Sequence, residues 1–217
     1  MKTVVNKSVT ESDWKEGFLF LGNHLALDFL NTRPSQNDVA RELLPDFDSL
    51  LRWFQASGLL LPADAANFRR RWRDSAKARR MLETARELRE RLRKAVLAWE
   101  SGEAIPGAVI ALLNHLVAEH PMRTRVVQTA AGLEQQAWFE TREPADLFAP
   151  LAESAAALFT EIGRDRVRQC AGCVLHFCDT SKKGTRRWCS MRLCGNRAKV
   201  AAYAARQRSP VSGEGLQ

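Results

Sequence analysis

The chain has 217 residues, of which 45% are hydrophobic and 27% are charged. This composition is ordinary for a globular protein of one or two domains, and it excludes a chain that is disordered throughout. No apolar run approaches the ~18–20 residues of a membrane-spanning helix, and the N-terminus lacks the apolar core of a signal peptide, so we expect a cytoplasmic protein.

The first half of the chain has the pattern of a series of helices. We expect the polar first 20 residues to be loosely ordered and a short helix to begin at Asn23, which would be its N-cap. Asp46 or Asp48 would cap a second helix that Gly58 ends. Apolar residues then recur every three or four positions along the longest stretch. The later helices are predicted over 47–56, from about 62, over 76–100 and over 107–118.

A β-hairpin is predicted after these helices. β-Branched and aromatic residues alternate with polar ones over 124–128 and 135–141, with Gly132 between the two runs. A helix over 147–162 follows. The sequence therefore predicts an α+β fold that is mainly α-helical. Its parts are a helical N-terminal domain with the hairpin over 1–163, a cysteine-rich module ending in a helix over 164–208, and a disordered tail over 209–217.

Three polar side chains share one side of the first predicted helix. His24, Asp28 and Asn31 are four and then three positions apart, a spacing that places them on one face. They are candidates for a pocket that binds a small-molecule effector. Alternatively, Asp28 and Asn31 hydrogen-bond to nearby backbone and His24 is structural. The sequence leaves both interpretations open.

Positive charge is concentrated near the C-terminus. The whole chain carries 33 lysines and arginines against 25 acidic residues, a net charge of +8. Residues 164–208 hold 12 of the basic side chains and only 2 acidic ones. This asymmetry indicates a polyanionic partner for that segment, and nucleic acid is the first candidate. The basic stretch over 69–94 is a second candidate surface, or else a solvated helix with internal ion pairs.

All five cysteines lie in the same basic segment. In a reducing compartment such a cluster favours a metal site over disulfides. Two close pairs, separated by fifteen residues, suit one tetrahedral Zn²⁺. Cys178 falls on a predicted strand that would hold it away from the others, although a swap with Cys178 and a set of unmetallated thiols are alternatives. The predicted ligands are Cys170, Cys173, Cys189 and Cys194.

A site closed by four thiolates has no open position for water or substrate, so we expect the zinc to be structural. Because the module is too small for a large core, the metal would supply much of its folding free energy. The chain also lacks a phosphate-binding glycine loop, a nucleophile elbow and an HExxH motif, so we expect no enzyme.

The segment after Cys189 contains no proline until position 210 and is rich in alanine, which predicts a helix. In a major groove, arginine pairs with guanine and asparagine with adenine, whereas the basic loop before Cys189 suits phosphate contacts. The alternative is a solvated basic face without a partner. On this helix five side chains recur at helical spacing and form one basic stripe: Arg192, Asn196, Lys199, Tyr203 and Arg206. The candidate nucleic-acid contacts are this stripe, Arg197 beside it, and Lys182, Lys183, Arg186 and Arg187 in the loop.

Three motifs in order resemble a known family. They begin at Phe177 (FCDTS), Arg186 (RRWCSM) and Cys194 (CGNRAK), and the segment over about 165–208 is similar to the CGNR zinc finger. Upstream, LDFLNT over 27–32 is similar to the ABATE domain, which precedes this finger in bacterial proteins described as candidate stress-induced transcriptional regulators. The resemblance implies a bacterial DNA-binding regulator.

Two other functions remain alternatives. The finger would equally suit RNA, with Trp188 or Tyr203 stacking on an unpaired base. Alternatively, the N-terminal domain is an enzyme that the finger targets to nucleic acid, which a pocket of titratable groups around Asp28 would favour. A homodimer is also a candidate assembly because regulators often read paired half-sites, although no heptad pattern indicates one.

Overall fold

The computed structural model describes residues 13–36 and 39–208. The predicted disordered tail, 209–217, and residues 1–12 of the segment expected to be loosely ordered lie outside the described residues. In that part of the chain no helix is long and apolar enough to cross a membrane. The helices are α1 Leu25–Leu30, α2 Phe47–Ala56, α3 Pro62–Trp72, α4 Ala76–Glu100, α5 Gly107–Glu119, α6 Phe148–Thr160 and α7 Asn196–Arg208.

The strands form two-stranded antiparallel sheets. The predicted hairpin is present, with Thr129 opposite Gly132 next to its turn. Of three further, very short strand pairs only the strand that carries Cys178 was expected, and one pair lies within the segment predicted to be loosely ordered. The pairs are β1 Trp14–Lys15 with β2 Phe18–Leu19, β3 Ser35–Gln36 with β4 Val39–Ala40, β5 Arg123–Thr129 with β6 Gly132–Trp138, and β7 Val167–Gln169 with β8 His176–Cys178.

Side chains cap the starts of α2 and α4, whereas α1, α3, α5 and α6 begin without a side-chain cap. The Asp46 carboxylate accepts a hydrogen bond of 2.7 Å from the backbone N–H of Ser49 and caps α2, as predicted. The prediction that Asn23 caps α1 is wrong. Asn23 has a φ of +52° and precedes the N-cap residue, His24. Its side chain instead contacts the cysteine-rich module.

The N-terminal core is built around α4, whose apolar face packs against its neighbouring helices. Trp53 of α2 is fully buried and its ring contacts the rings of Phe20, Phe29 and Phe54. Burial of such large rings is the main stabilising contribution to a domain of this size.

Basic side chains of the stretch over 69–94 make hydrogen bonds and ion pairs within the N-terminal domain. Arg89 of α4 is 1% exposed, and its guanidinium donates hydrogen bonds of 2.9 Å to Thr32 Oγ1 and 2.8 Å to Glu42 Oε1. Arg69 of α3 pairs with Asp48 at 3.0 Å. For Arg69 and Arg89, these contacts favour the interpretation that the basic stretch forms ion pairs within the protein.

A second, smaller apolar cluster surrounds the cysteines. It contains Leu175 and Phe177 beside β8, with Trp188 packed at its edge. Leu19 and Leu21 belong to this cluster, although the neighbouring Phe18 and Phe20 belong to the N-terminal core. The alternation of this extended segment therefore places one set of side chains in each core. The cysteine-rich module is thus packed against the N-terminal domain.

Candidate metal centre and nucleic-acid interface

The structure brings the four predicted cysteine ligands together. The Sγ atoms of Cys170, Cys173, Cys189 and Cys194 all lie within 4.8 Å of one another. Cys173 and Cys189 are 3.7 Å apart, and Cys189 and Cys194 are 3.6 Å apart. Tetrahedral zinc with Zn–S bonds of ~2.3 Å requires sulfurs separated by about 3.8 Å. The donor set therefore fits one Zn²⁺ in both ligand chemistry and spacing.

Backbone hydrogen bonds position the two cysteine pairs. The N–H of Ala171 donates to the carbonyl of Arg187 at 2.9 Å, and so joins the first pair to the chain before the second. The N–H groups of Gly172 and Cys189 point at the sulfur of Cys170, at 3.4 and 3.2 Å. Such donors stabilise negative charge on a thiolate ligand.

Two glycines allow close packing around the sulfurs. A Cβ on Gly172 would lie 3.2 Å from the ring of Trp188 and 3.3 Å from Cβ of Cys194. A Cβ on Gly195 would lie 2.6 Å from the sulfur of Met191. Gly195 ends a π-helical turn, Met191–Gly195, that carries Cys194 and leads directly into α7. The last ligand and the start of the helix are therefore one rigid unit.

The sulfurs would oppose one another's ionisation if no cation balanced them. Hydrogen bonds from Cys170 and Cys173, together with burial, raise the pKa of the Cys189 thiol. A hydrogen bond with Cys170, together with burial, raises the pKa of Cys173 to about 12, whereas hydrogen bonds from Cys173 and Cys189 lower the pKa of Cys170. Of these three thiols, only Cys170 is thus readily ionised without a cation. A divalent cation reverses this balance because it stabilises all four thiolates. This cluster is consequently suited to holding a metal and poorly suited to remaining as free thiols.

Cys178 lies apart from the metal site. It is on β8 as predicted, and its side chain belongs to the N-terminal core rather than to the group of four. Burial raises the pKa of its thiol. Cys178 is therefore a buried apolar side chain.

Two arginines predicted to contact nucleic acid make internal contacts in the structure. The Arg186 guanidinium lies 4.2 Å from the ring centre of Phe177 and donates to the carbonyls of Trp188 and Cys189. Arg197 donates to the Cys194 sulfur at 3.0 Å and to the Gly172 carbonyl at 3.1 Å. Arg197 thus brings positive charge to the thiolates and ties the two ligand pairs together, a role that the stripe pattern did not reveal.

The loop between the ligand pairs is shaped by Asp179, which sequence reasoning did not single out. Its carboxylate is 1% exposed and accepts hydrogen bonds from the N–H groups of Ser181, at 2.9 Å, and Arg186, at 2.8 Å. Burial alone would raise its pKa, but these hydrogen bonds outweigh burial and lower the pKa. The resulting turn leaves Lys182 and Lys183 exposed.

Helix α7 is exposed along almost its whole length. From 196 to 207 only Ala198 and Ala204 are half-buried, and every other side chain is exposed. Tyr203 is 58% exposed. The remaining residues of the predicted basic stripe, Arg192, Asn196, Lys199 and Arg206, are also exposed. The structure therefore presents this stripe to solvent.

Asn31 joins the N-terminal domain to the module. Its side-chain amide donates to the carbonyl of His176 at 2.9 Å and accepts from the N–H of His176 at 2.9 Å. Next to this pair, the N–H of Cys178 donates to the carbonyl of Gly22 at 2.7 Å, and Asn23 Nδ2 donates to the carbonyl of Cys178 at 3.1 Å. One edge of β8 pairs with β7, and the N-terminal domain satisfies the other edge.

Asp28 and His24 also make contacts within the protein. The Asp28 carboxylate accepts a hydrogen bond of 2.7 Å from the N–H of Gly22, while burial raises its pKa to about 7. His24 Nδ1 lies 3.4 Å from the hydroxyl of Ser154 on α6. Asp28 thus makes the bond to nearby backbone that the alternative interpretation expected, whereas Asn31 bonds to backbone that is distant in the sequence. An effector site on these residues stays a prediction.

Two protein-family models match the chain, in the order that the sequence motifs predicted. Residues 23–162 match the ABATE family, described as "Putative stress-induced transcription regulator", and residues 166–207 match the CGNR zinc finger. No curated protein sequence matches the chain. Because the first match covers more than half of the chain and the second contains all four clustered cysteines, the chain belongs to the ABATE family and carries a C-terminal CGNR zinc finger with one structural zinc ion.

Proposed function

We propose that this protein is a sequence-specific DNA-binding transcriptional regulator that acts in the bacterial cytoplasm. The observation that carries the proposal is the exposed stripe on α7, which begins at the zinc centre itself. Because Cys194 and Gly195 fix the direction in which the helix leaves the finger, the side chains of the stripe are presented in a defined orientation.

The dimensions of α7 suit a major groove. Its 13 residues form a rod of roughly 20 Å, and a B-form major groove admits an α-helix. Asn196, in the first turn, is an amide that can pair bidentately with adenine. Arg192 precedes it on the same side and can pair with guanine. Lys182, Lys183 and Arg187 carry exposed cations on the adjoining loop, where they would contact phosphates.

Matched alanine substitutions test the division between base reading and phosphate binding. We expect Asn196→Ala to reduce the preference for the target sequence about 5- to 150-fold, the range for one bidentate base contact. Lys183→Ala should weaken binding to all duplexes and lower the salt slope by about one. The target would first be selected from a random duplex pool, and affinities then measured by fluorescence anisotropy at several salt concentrations.

Exposed residues of the same types on distant helices provide the controls. Asn114→Ala on α5 and Lys94→Ala on α4 should leave affinity, preference and salt slope unchanged. If Asn196→Ala and Lys183→Ala give equal losses for every sequence, Asn196 does not read a base.

RNA is the second candidate partner. The exposed Tyr203 ring and the half-buried Trp188, over which the Arg187 guanidinium lies at 5.3 Å, favour it because such side chains stack on unpaired bases. Titrations with duplex DNA, duplex RNA and single strands at one salt concentration separate the two partners. Tighter binding to an RNA than to any selected duplex DNA would replace the proposal.

We further propose that the protein acts by binding rather than catalysis, since four thiolates occupy every position of a tetrahedral metal. An effector and a homodimer stay predictions of the sequence, and an N-terminal enzyme stays the alternative to this proposal.

A further inference from the structure

A cleft lies where the end of α4 meets the zinc finger. Its volume is about 400 Å³, within the range of small-molecule sites. Glu100, the last residue of α4, forms the wall on the N-terminal domain. The charged side chains that line the cleft are those of Glu100, Arg164, Asp165, Arg168, Arg186 and Arg187.

The cleft has an excess of positive charge. Four guanidinium groups line it against two carboxylates, and both carboxylates have cationic or imidazole neighbours of their own. Asp165 Oδ2 lies 3.7 Å from Nε of Arg166, and Glu100 Oε2 lies 3.2 Å from Nε2 of His176. Within residues 13–36 and 39–208, no salt bridge joins any of the four arginines to a carboxylate. These four guanidinium groups therefore have no direct carboxylate partner within this part of the protein, although Asp179 interacts electrostatically with Arg168 and Arg186.

Neutral groups hold three of these arginines in place. Arg168 donates to the carbonyls of Asp165, at 3.2 Å, and Gly184, at 3.0 Å. Arg186 donates to the backbone carbonyls of Trp188 and Cys189, and the Arg187 guanidinium lies over the ring of Trp188. Such contacts fix a guanidinium without cancelling its charge. A cluster of this kind is preorganised for an anion that accepts bidentate hydrogen bonds, as phosphate does.

The Glu100 carboxylate is a hydrogen-bond acceptor in the wall of the cleft, and it contacts the buried ring of His176. His176 is 0% exposed, and neither of its ring nitrogens has a well-aligned hydrogen bond. The contact between His176 and Glu100 links the wall of the cleft to strand β8. The edge of β8 that does not pair with β7 is hydrogen-bonded to Asn31. A carboxylate in an otherwise cationic cleft favours a ligand that has hydroxyl or amino donors as well as phosphate oxygens.

We propose that this cleft binds a small phosphorylated molecule. A small ligand fits the observations better than a DNA backbone, because Glu100 and Asp165 would repel the regularly spaced phosphates of a duplex but leave room for one anion between the arginines. The ligand would touch both the end of α4 and the finger, and so bridge the two parts of the chain. This site is separate from the α7 stripe and does not depend on the proposed DNA binding, although it shares Arg187 with the loop proposed to contact phosphates.

Inorganic pyrophosphate is the probe for the test, titrated calorimetrically into the zinc-loaded full chain at constant ionic strength. We expect saturable binding with one site per chain. Arg164→Gln and Arg187→Gln should each weaken binding about tenfold or more, because each removes a charge-assisted hydrogen-bonding group. Arg187→Lys should fall between the wild type and Arg187→Gln, since it keeps the charge and loses the fork.

Arg80→Gln is the matched control because Arg80 is exposed on α4, away from the cleft. Zinc content and thermal unfolding verify that each variant is folded. Absence of saturable binding, or equal affinity in Arg80→Gln and Arg164→Gln, overturns the proposal. So does a result in which Arg164→Gln weakens a DNA duplex but pyrophosphate does not bind, since the cleft would then be part of the duplex interface. Pyrophosphate binding in a chain that binds no nucleic acid would support the cleft and contradict the proposed function alone.

Discussion

The side chain of Asn31 hydrogen-bonds to the backbone of the finger in the way that a neighbouring strand would. Its amide has the same donor and acceptor as a peptide group, and it uses both on the backbone of His176. Asn31 is 0% exposed, so water cannot replace these hydrogen bonds. An aspartate could accept but not donate, and a leucine could do neither, which explains why an asparagine suits this position.

We expect Asn31→Ala to lower the free energy of unfolding by about 2–6 kcal/mol. The substitution leaves the N–H and the carbonyl of His176 buried without partners, at about 1–3 kcal/mol each. Urea unfolding of the zinc-loaded protein measures the change. Asn114→Ala, at an exposed position of α5, should change it by less than about 0.5 kcal/mol. A similarly small effect for Asn31→Ala would mean that the contact with His176 does not hold the finger in place.

At the scale of single residues, the sequence predicts the metal ligands but not the contact between Asn31 and His176. Cysteine spacing is local, and the chemistry of zinc restricts it strongly. The partner of Asn31 lies 145 residues away along the chain, and nothing near Asn31 encodes that contact. The same holds for Arg197, which the sequence offered as a nucleic-acid contact and whose contacts with Cys194 and Gly172 it did not indicate. Asp179 is different, because an aspartate two residues before a serine indicates a side-chain turn.

Helix α7 is anchored at one end only. The π-helical turn and Arg197 fix its start, whereas its second half has few packing contacts. Isolated helices shorter than ~12–15 residues are marginally stable in water, even when rich in alanine. The zinc centre therefore supplies the nucleus from which α7 continues.

Hydrogen exchange should show this difference along the helices. We expect the amides over 200–207 to exchange with little protection, and those in the middle of α4 to be strongly protected, because α4 lies in the main core. Saturating target duplex should slow exchange in α7 and leave α4 unchanged. Protection of α7 equal to that of α4 in the free protein would contradict the single anchor. Unchanged exchange over 200–207 in the complex would mean that DNA does not contact the second half of the helix.

Sequence patterns predicted long elements better than short ones. The periodicity of α4 extends over 25 residues, and its predicted bounds agree with the structure. The two-residue strands β1 and β2 have no periodicity to detect, and it is β2 that places alternate side chains, Phe18 and Leu19, in the two cores. Asn23 failed as a predicted cap because its backbone takes the left-handed conformation, and its side chain reaches Cys178 instead.

The two cores share one segment of chain, so the stabilities of the two parts are linked. Leu19 and Leu21 pack on the cysteine cluster, and the Ser190 hydroxyl donates to Asp13 at 2.6 Å. Loss of zinc would therefore disrupt packing beyond the finger itself. It would expose these leucines and free the surface of the N-terminal domain that Asn31 and Gly22 present to β8.

We accordingly expect Cys189→Ser to abolish stoichiometric zinc binding and unfold the finger, while the N-terminal domain stays folded with a lowered melting temperature. The core around Trp53 is independent of the metal, but the docked interface is not. Metal analysis, circular dichroism and calorimetry measure the three effects. Cys178→Ser is the matched control, since it makes the same substitution at a buried cysteine outside the metal site and should retain one zinc per chain. Full zinc content in Cys189→Ser would contradict the ligand assignment. An unchanged melting temperature of the N-terminal domain would instead show that the finger and the domain are energetically independent, despite their contact.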